Sequence, residues 1–146
     1  METRDLRVTD LPALRDLAAI ATAEGYRFVA RFLTDLQVSS SSSERFAGFL
    51  GVLDQGRLVA LGGVTADPYR PASNVGRVRH VFVHPTRRGE GIGTQLIAAL
   101  ETRALGAGLG LLRLRTDTIQ AAEFYEHRGY SPVADDSATH ERSLTR

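Results

Sequence analysis

Arg88, Gly91 and Gly93, in the run Arg87-Arg88-Gly89-Glu90-Gly91-Ile92-Gly93-Thr94, are the residues whose types and spacing most directly suggest chemistry. Glycines let a charged group approach the main chain without meeting a Cβ, and guanidinium groups add fork-shaped cationic donors. What they could hold depends on the elements around them. Val78 to Val83 alternates as a strand does, and His84 to Glu90 has the composition of a turn. From Gly91 onward, Ile92, Leu96, Ile97 and Leu100 recur at helical spacing on one face. A strand, a glycine-rich turn and a helix leave the unbonded N–H groups of the first helical turn facing the loop, where the helix dipole also favours an anion. The spacing therefore predicts a diphosphate held where this helix begins.

Two common diphosphate sites do not fit. A P-loop needs a lysine followed by Ser or Thr, and this chain contains no lysine. The same lack removes any Schiff-base chemistry. A dinucleotide turn needs Gly-x-Gly-x-x-Gly opening the first βαβ unit. The spacing Arg88-x-x-Gly91-x-Gly93 instead resembles the acetyl-CoA pyrophosphate loop of the GNAT superfamily of N-acetyltransferases, Gln/Arg-x-x-Gly-x-Gly/Ala. A tight strand-to-helix turn with surface arginines is the other reading of these residues.

Composition narrows the classes further. At 146 residues the chain is expected to be a single domain, residues 1–146, with a sizeable core. A net charge of +1 offers no electrostatic case for nucleic acid or an anionic membrane. Cysteine is absent, which excludes thiol catalysis and disulfides and fits a reducing compartment. No apolar run is long enough to span a bilayer, and the N-terminal residues lack a signal-peptide core, so the expectation is cytoplasmic. The four histidines form no metal-ligand spacing, so no metal is expected.

The remaining elements follow from local signals. Asp5 to Val8 reads as a first strand. Thr9-Asp10-Leu11-Pro12 starts a helix that buries Leu14, Leu17, Ala18 and Ala21 and ends near Gly25. A second helical pattern, Tyr26 to Leu36, places Phe28, Phe32 and Leu36 on one face, and Ser39 to Ser43 reads as a loop. Phe46–Leu53 and Arg57–Thr65 are strands joined at Asp54-Gln55-Gly56, with Gly62-Gly63 marking a bulge or a close approach. Leu111–Arg115 is a strand parallel to Val78–Val83. Asp117 or Thr118 caps the next helix, with Gln120 placed for a capping box on Asp117. Gly129 suits that helix's C′ position, and Tyr130–Val133 with Thr139–Leu144 can form a final hairpin.

Within that last helix, Ala121-x-x-Phe124-Tyr125-x-x-x-Gly129-Tyr130 is similar to a second GNAT pattern, Asn-x-x-Ala-x-x-Phe-Tyr-x-x-x-Gly-Phe/Tyr, with Thr118 in place of the Asn. Two motifs in order, on the expected elements, identify the chain as a member of that superfamily over Val78 to Tyr130. The resemblance implies an α/β (α+β) fold, a mixed sheet of about six to seven strands flanked by about four helices. It implies acetyl-CoA as co-substrate, with the pyrophosphate on Arg88, Gly89, Glu90, Gly91, Ile92, Gly93 and Thr94. Backbone groups of Val81 and Val83 would take the pantetheine, an N–H near Phe82 the thioester carbonyl, and Thr118 a contact to the CoA arm. Tyr125 would be the general acid for the departing thiolate; a phenol, with an ordinary pKa of about 10, keeps its proton at neutral pH until a thiolate forms.

The base departs from the superfamily pattern. Many members carry a glutamate at the position of Arg77, and arginine cannot accept a proton. His80, Glu24, Asp67 and Asp117 are candidates, and direct attack by a neutral amine needs none of them. Strand alternation puts Arg77, Arg79 and Val81 on one face and Val78, His80 and Phe82 on the other. On that basis Arg77 and Arg79 are substrate-side candidates that would suit an acceptor bearing a carboxylate or phosphate, and Asp117 is a third because it sits at a strand end beside the expected cleft. The expected activity is transfer of an acetyl group from acetyl-CoA to a primary amine of a small molecule, within a ternary complex. A CoA-binding module without catalysis, and acetylation of protein N-termini or side chains, stay open, as does a homodimer.

Overall fold

One hairpin turn fixes the first half of the sheet. In the computed structural model, which describes residues 1–27, 31, 45–71 and 74–145, β2 (Arg45–Asp54) and β3 (Arg57–Ala66) are joined by Gln55 and Gly56, at φ 51° and 80°. Positive φ at both central residues is the turn whose twist matches paired strands. β1 (Glu2–Arg7) lies antiparallel to β2, and the remaining strands are β4 (Val75–Val83), β5 (Leu111–Leu114), β6 (Ser131–Pro132) and β7 (His140–Ser143). Their hydrogen-bonded order is β1-β2-β3-β4-β5-β7-β6, a mixed sheet with β4 and β5 as its parallel pair. Three α-helices accompany it among the described residues: α1 (Leu11–Ala23), α2 (Ile92–Gly106) and α3 (Ile119–His127). The helix expected over Tyr26–Leu36, with Phe28, Phe32 and Leu36, and the Ser39–Ser43 loop lie almost wholly outside the described residues, so only Tyr26, Arg27 and Arg31 of that stretch can be placed.

The chain divides into two compact units, Met1–Gly63 with His80–Leu100, and Val64–Arg79 with Glu101–Arg146. In the first, Leu14, Leu17, Ala18 and Ala21 of α1 are buried against Leu6, Leu53, Leu58, Leu61 and Phe82, as their spacing required. The cap of α1 differs from expectation. Asp10 stands at the cap position but turns back, accepting from Arg7 N–H at 2.8 Å and from both Nη atoms of Arg4 at 2.9 Å. That ion pair holds the Asp10 carboxyl below its usual pKa, the Arg4 hydrogen bonds outweighing burial. The glycine pair of β3 marks close approach rather than a bulge. A Cβ on Gly62 would stand 3.0 Å from Val81 Cγ2 and 3.3 Å from Leu96 and Leu100, and one on Gly63 would enter the Phe49 ring. The register shift between β2 and β3 falls at Val52–Leu53 instead.

In the second unit, β4 and β5 pair over Val75–Arg77 and Leu111–Arg113, while β4 continues to Val83. Strand alternation buries Leu112 and Leu114 on one face of β5 and sends Arg113, 1% exposed, to the other. α3 is capped by Thr118, whose Oγ1 accepts from Ala121 N–H at 3.1 Å. Gln120 therefore falls one residue short of a capping box, which would need position 121. At the other end Gly129 sits at φ 92°, with Gly129 N–H on Glu126 C=O and Tyr130 N–H on Tyr125 C=O. This is a Schellman motif, and the Tyr125 and Tyr130 rings, 5.5 Å apart and edge to face, supply the apolar contact that accompanies it. The spacing Tyr125-x-x-x-Gly129-Tyr130 is thus, in part, the signature of a helix end. Gly129→Ala is expected to lower stability by about 1–2 kcal/mol, the cost of a Cβ in the left-handed region. A shift of the denaturant midpoint at unchanged m would measure it.

Candidate functional site

The strand–turn–helix takes the predicted form. β4 ends at Val83, His84 Nδ1 accepts from Thr86 N–H at 3.2 Å, and Pro85–Arg87 makes a single 3-10 turn. Gly89 and Gly91 follow at φ 83° and 80°. The first hydrogen bond of α2 runs from Gln95 N–H to Gly91 C=O, at 3.0 Å. Helix geometry therefore leaves the N–H groups of Gly91, Ile92, Gly93 and Thr94 without intrahelical acceptors. A Cβ on Gly89 or Gly91 would meet no atom within 4 Å, so the space over these residues is open. Ile92 itself is buried and anchors the helix start from below. Free amides, two left-handed glycines and open space fit a pyrophosphate.

The two arginines do not stand free as the sequence suggested. Arg87 binds Asp54 at 2.9 Å and Glu90 at 3.0 Å. Arg88 binds Glu24 at 2.7 Å, donates Nε to Val83 C=O at 3.1 Å, and lies over the Phe82 ring. Each brings its charge already balanced by an acid, which leaves the main chain as the principal anion donor. Gly91→Ala is accordingly expected to weaken coenzyme A binding about tenfold, since a Cβ at positive φ costs about 1–2 kcal/mol. Isothermal titration would read it.

The candidate bases fare as follows. Glu24 is held by Arg88. Asp67, 2% exposed, accepts from Tyr69 N–H at 2.8 Å and lies 3.2 Å from Arg113 and 3.6 Å from Arg77. A carboxylate clasped by two guanidinium groups is a counter-ion, which corrects its reading as a proton acceptor. His80 adopts φ 59°, an unusual conformation for a non-glycine residue inside a strand, with its ring 6.3 Å from Phe49. Asp117 is exposed just ahead of the α3 cap.

The substrate-side arginines divide. Arg79 donates Nε to Thr65 Oγ1 at 2.8 Å. Arg77 is buried, donates Nη2 to Ser137 C=O at 2.7 Å and stacks over Tyr69 at 5.0 Å. Its pKa is pulled below the usual arginine value, chiefly by burial, with Asp67 opposing. Arg113, Arg115, Asp136 and Tyr69 surround it, and no sequence motif marks them. Arg113 sits in an apolar strand, and no local pattern distinguishes a buried charged residue there from an edge residue.

Tyr125 is 7% exposed, edge-on to Phe124 at 5.1 Å, and burial pushes its phenol well above the usual value. Its hydroxyl has no hydrogen-bond partner among the described residues. Tyr130 contrasts with it: its hydroxyl donates to Glu101 at 2.9 Å, and Glu101 also accepts from Arg142 at 2.8 Å. One tyrosine is tied into a structural network, and the other keeps its proton uncommitted.

Residues 12–130 match the family model for the acetyltransferase (GNAT) family. The chain belongs to the GNAT family. It is an acetyl-CoA-dependent acetyltransferase, and the mixed seven-stranded sheet is that of the family. A curated relative, IAA acetyltransferase of Azospirillum brasilense, is 32% identical over 108 residues, covering 73% of this GNAT chain and 67% of that protein. Among solved structures, a protein of Exiguobacterium sp. 255-15 described as an acetyltransferase superposes at TM-score 0.78 with 27% identity, over 98% of this chain and 94% of that one. The PaiA N-acetyltransferase of Thermoplasma acidophilum, solved with coenzyme A, superposes at 0.74 with 18% identity, over 98% of each chain. Among the described residues of this GNAT protein, no helix is long and apolar enough to cross a membrane.

Proposed function

We propose that this protein, acting as one GNAT domain, acetylates the primary amine of a small molecule by direct attack on acetyl-CoA in a ternary complex. Acetyl-CoA supplies the acetyl group as a thioester. The amides of Gly89 to Thr94 bind its pyrophosphate, the backbone of Val81 and Val83 its pantetheine, and the N–H near Phe82 its carbonyl oxygen, where one such donor contributes about 3–4 kcal/mol in acyl transfers. Thr118, whose oxygen already caps α3, retains an O–H to donate. Tyr125 Oη gives its proton to the departing sulfur. With Glu24 and Asp67 held by arginines and Arg77 unable to accept a proton, the amine is expected to enter neutral and lose its proton to water.

The observation that carries this reading is the uncommitted Tyr125 hydroxyl. Among the described residues Tyr125 Oη is not one of the side-chain atoms buried without a partner, so it reaches open space with its proton free to give, whereas the Tyr130 O–H is spent on Glu101. A thiol-release assay across a panel of amines tests the reading. Turnover of at least one primary amine, with product mass increased by one acetyl group, supports it. Coenzyme A binding without turnover of any amine or peptide would instead leave a binding module.

A further inference from the structure

Two arginines on the paired strands β4 and β5, and a third just past the end of β5, grip three consecutive residues of the loop between β6 and β7. Arg77 Nη2 donates to Ser137 C=O at 2.7 Å, and Arg113 donates to Ser137 Oγ at 3.2 Å and to Asp135 at 2.8 Å. Arg115 Nη1 donates to Asp136 C=O at 3.0 Å. The loop is braced from inside as well: Ser137 N–H and Oγ each donate to Asp135 Oδ1 at 2.8 Å. Beside this loop is a cavity of about 440 Å³ lined by Tyr69, Arg77, Arg115, Asp136 and Ser137. That volume accommodates a small metabolite.

The wall chemistry is uneven. Arg115 is exposed, and among the described residues its bond is to a neutral carbonyl, so its charge is not cancelled by a carboxylate. The rest of its planar fork of donors remains available. Arg77 adds a second cation, offset by Asp67, but at 3.6 Å and shared with Arg113. Its Nη1 is buried with no hydrogen-bond partner. Tyr69, 61% exposed, covers the Arg77 guanidinium with its ring. Of the lining residues, Asp136 alone carries negative charge. A guanidinium fork next to an aromatic ring, with the backbone already locked, suits a planar anion.

We propose that this cavity recognises a carboxylate carried by the acceptor, with Arg115 as the fork that binds it and Tyr69 as the flanking surface. This rests on the acetyl-transfer reading above and names the substrate class for it. It also moves the anion site from the Arg77–Arg79 pair expected from alternation to Arg77 and Arg115. Arg79 lines none of the cavity, since its guanidinium is turned to Thr65.

The test uses isosteric pairs: β-alanine against propylamine, and 4-aminobenzoate against 4-methylaniline. The carboxylated member of at least one pair should have the higher kcat/KM, through a lower KM. Arg115→Glu should reduce that preference tenfold or more. A second readout does not require turnover. With coenzyme A present, ligand-observed NMR should detect N-acetyl-β-alanine or 4-acetamidobenzoate on the wild type, far less on Arg115→Glu, and not the corresponding neutral amides. Equal binding of acid and amide, or acid binding unchanged in Arg115→Glu, overturns the carboxylate site. If no amine turns over yet acid binding is lost in Arg115→Glu, the site stands and the transfer reading falls. If amines turn over with no preference for the acids, the site falls and the transfer reading stands.

Discussion

Replacing Tyr125 with phenylalanine is expected to cut kcat by about 10²- to 10³-fold, the usual contribution of a positioned proton donor, and to leave coenzyme A affinity essentially unchanged. The ring keeps its contacts with Phe124 and Tyr130, so packing is preserved. What is lost is a proton with no other partner. Single-turnover thiol release and isothermal titration, run side by side, separate the two quantities. A fall in both by the same factor would mean the residue acts through structure.

The same residue makes a pH prediction whose sign is fixed by burial. The Tyr125 phenol is raised by desolvation, and that of Tyr130 by desolvation first and Glu101 second. Below the ordinary phenol pKa of about 10, both native and unfolded states hold these protons, and the stability tied to them is fully present. Above it, the unfolded chain releases protons that the native state keeps, so stability falls as pH rises, by up to about 1.4 kcal/mol per pH unit for each tyrosine. Turnover should therefore show no decline from Tyr125 ionisation between neutrality and about pH 10. Denaturant titrations above that pH should show a shallower alkaline loss for Tyr125→Phe than for the wild type.

Asp67→Asn is expected to destabilise this protein more than either glycine substitution, by about 3–5 kcal/mol, the cost of removing one partner from a buried ion pair. Arg113 is 1% exposed, and its other acids, Asp135 and Glu141, are partly solvated, at 2.8 and 3.6 Å. Asparagine keeps the shape and the hydrogen bond from Tyr69 N–H. It removes the charge that Arg113 and Arg77 share. The melting temperature should fall by about 10 °C or more. Adding Arg113→Met should recover much of the loss, because the uncompensated cation then disappears. Near-wild-type stability of Asp67→Asn alone would show that the remaining acids suffice.

Much of this protein is legible in its amino-acid sequence, and for local reasons. The α1 stripe, the Gln55-Gly56 turn, the Thr118 cap and the Gly129 helix end all depend on residues within a few positions of one another, and each lies where the pattern puts it. The glycines at 89 and 91 belong to the same class, since a backbone conformation that only glycine adopts cheaply marks its own position. The two spaced motifs likewise point to the GNAT family, because each is a short run of residues close together in the chain and the two follow in the order that family has.

The pairing of charges is not legible in this way. Nothing near Arg88 in the chain announces Glu24, and nothing near Arg113 announces Asp67, 46 residues away. Whether an arginine is a ligand donor or a spent counter-ion depends on which distant carboxylate the fold brings to it. Alternation along β4 places Arg77 and Arg79 together, yet it cannot show that one turns to Thr65 and the other to Ser137. The sequence by itself determined the elements, their order and the glycine-rich helix start, because those follow from short-range periodicity and backbone preference. The tertiary structure decided which charges are cancelled and which remain for a substrate, because Coulomb pairing acts through space and takes no account of separation along the chain.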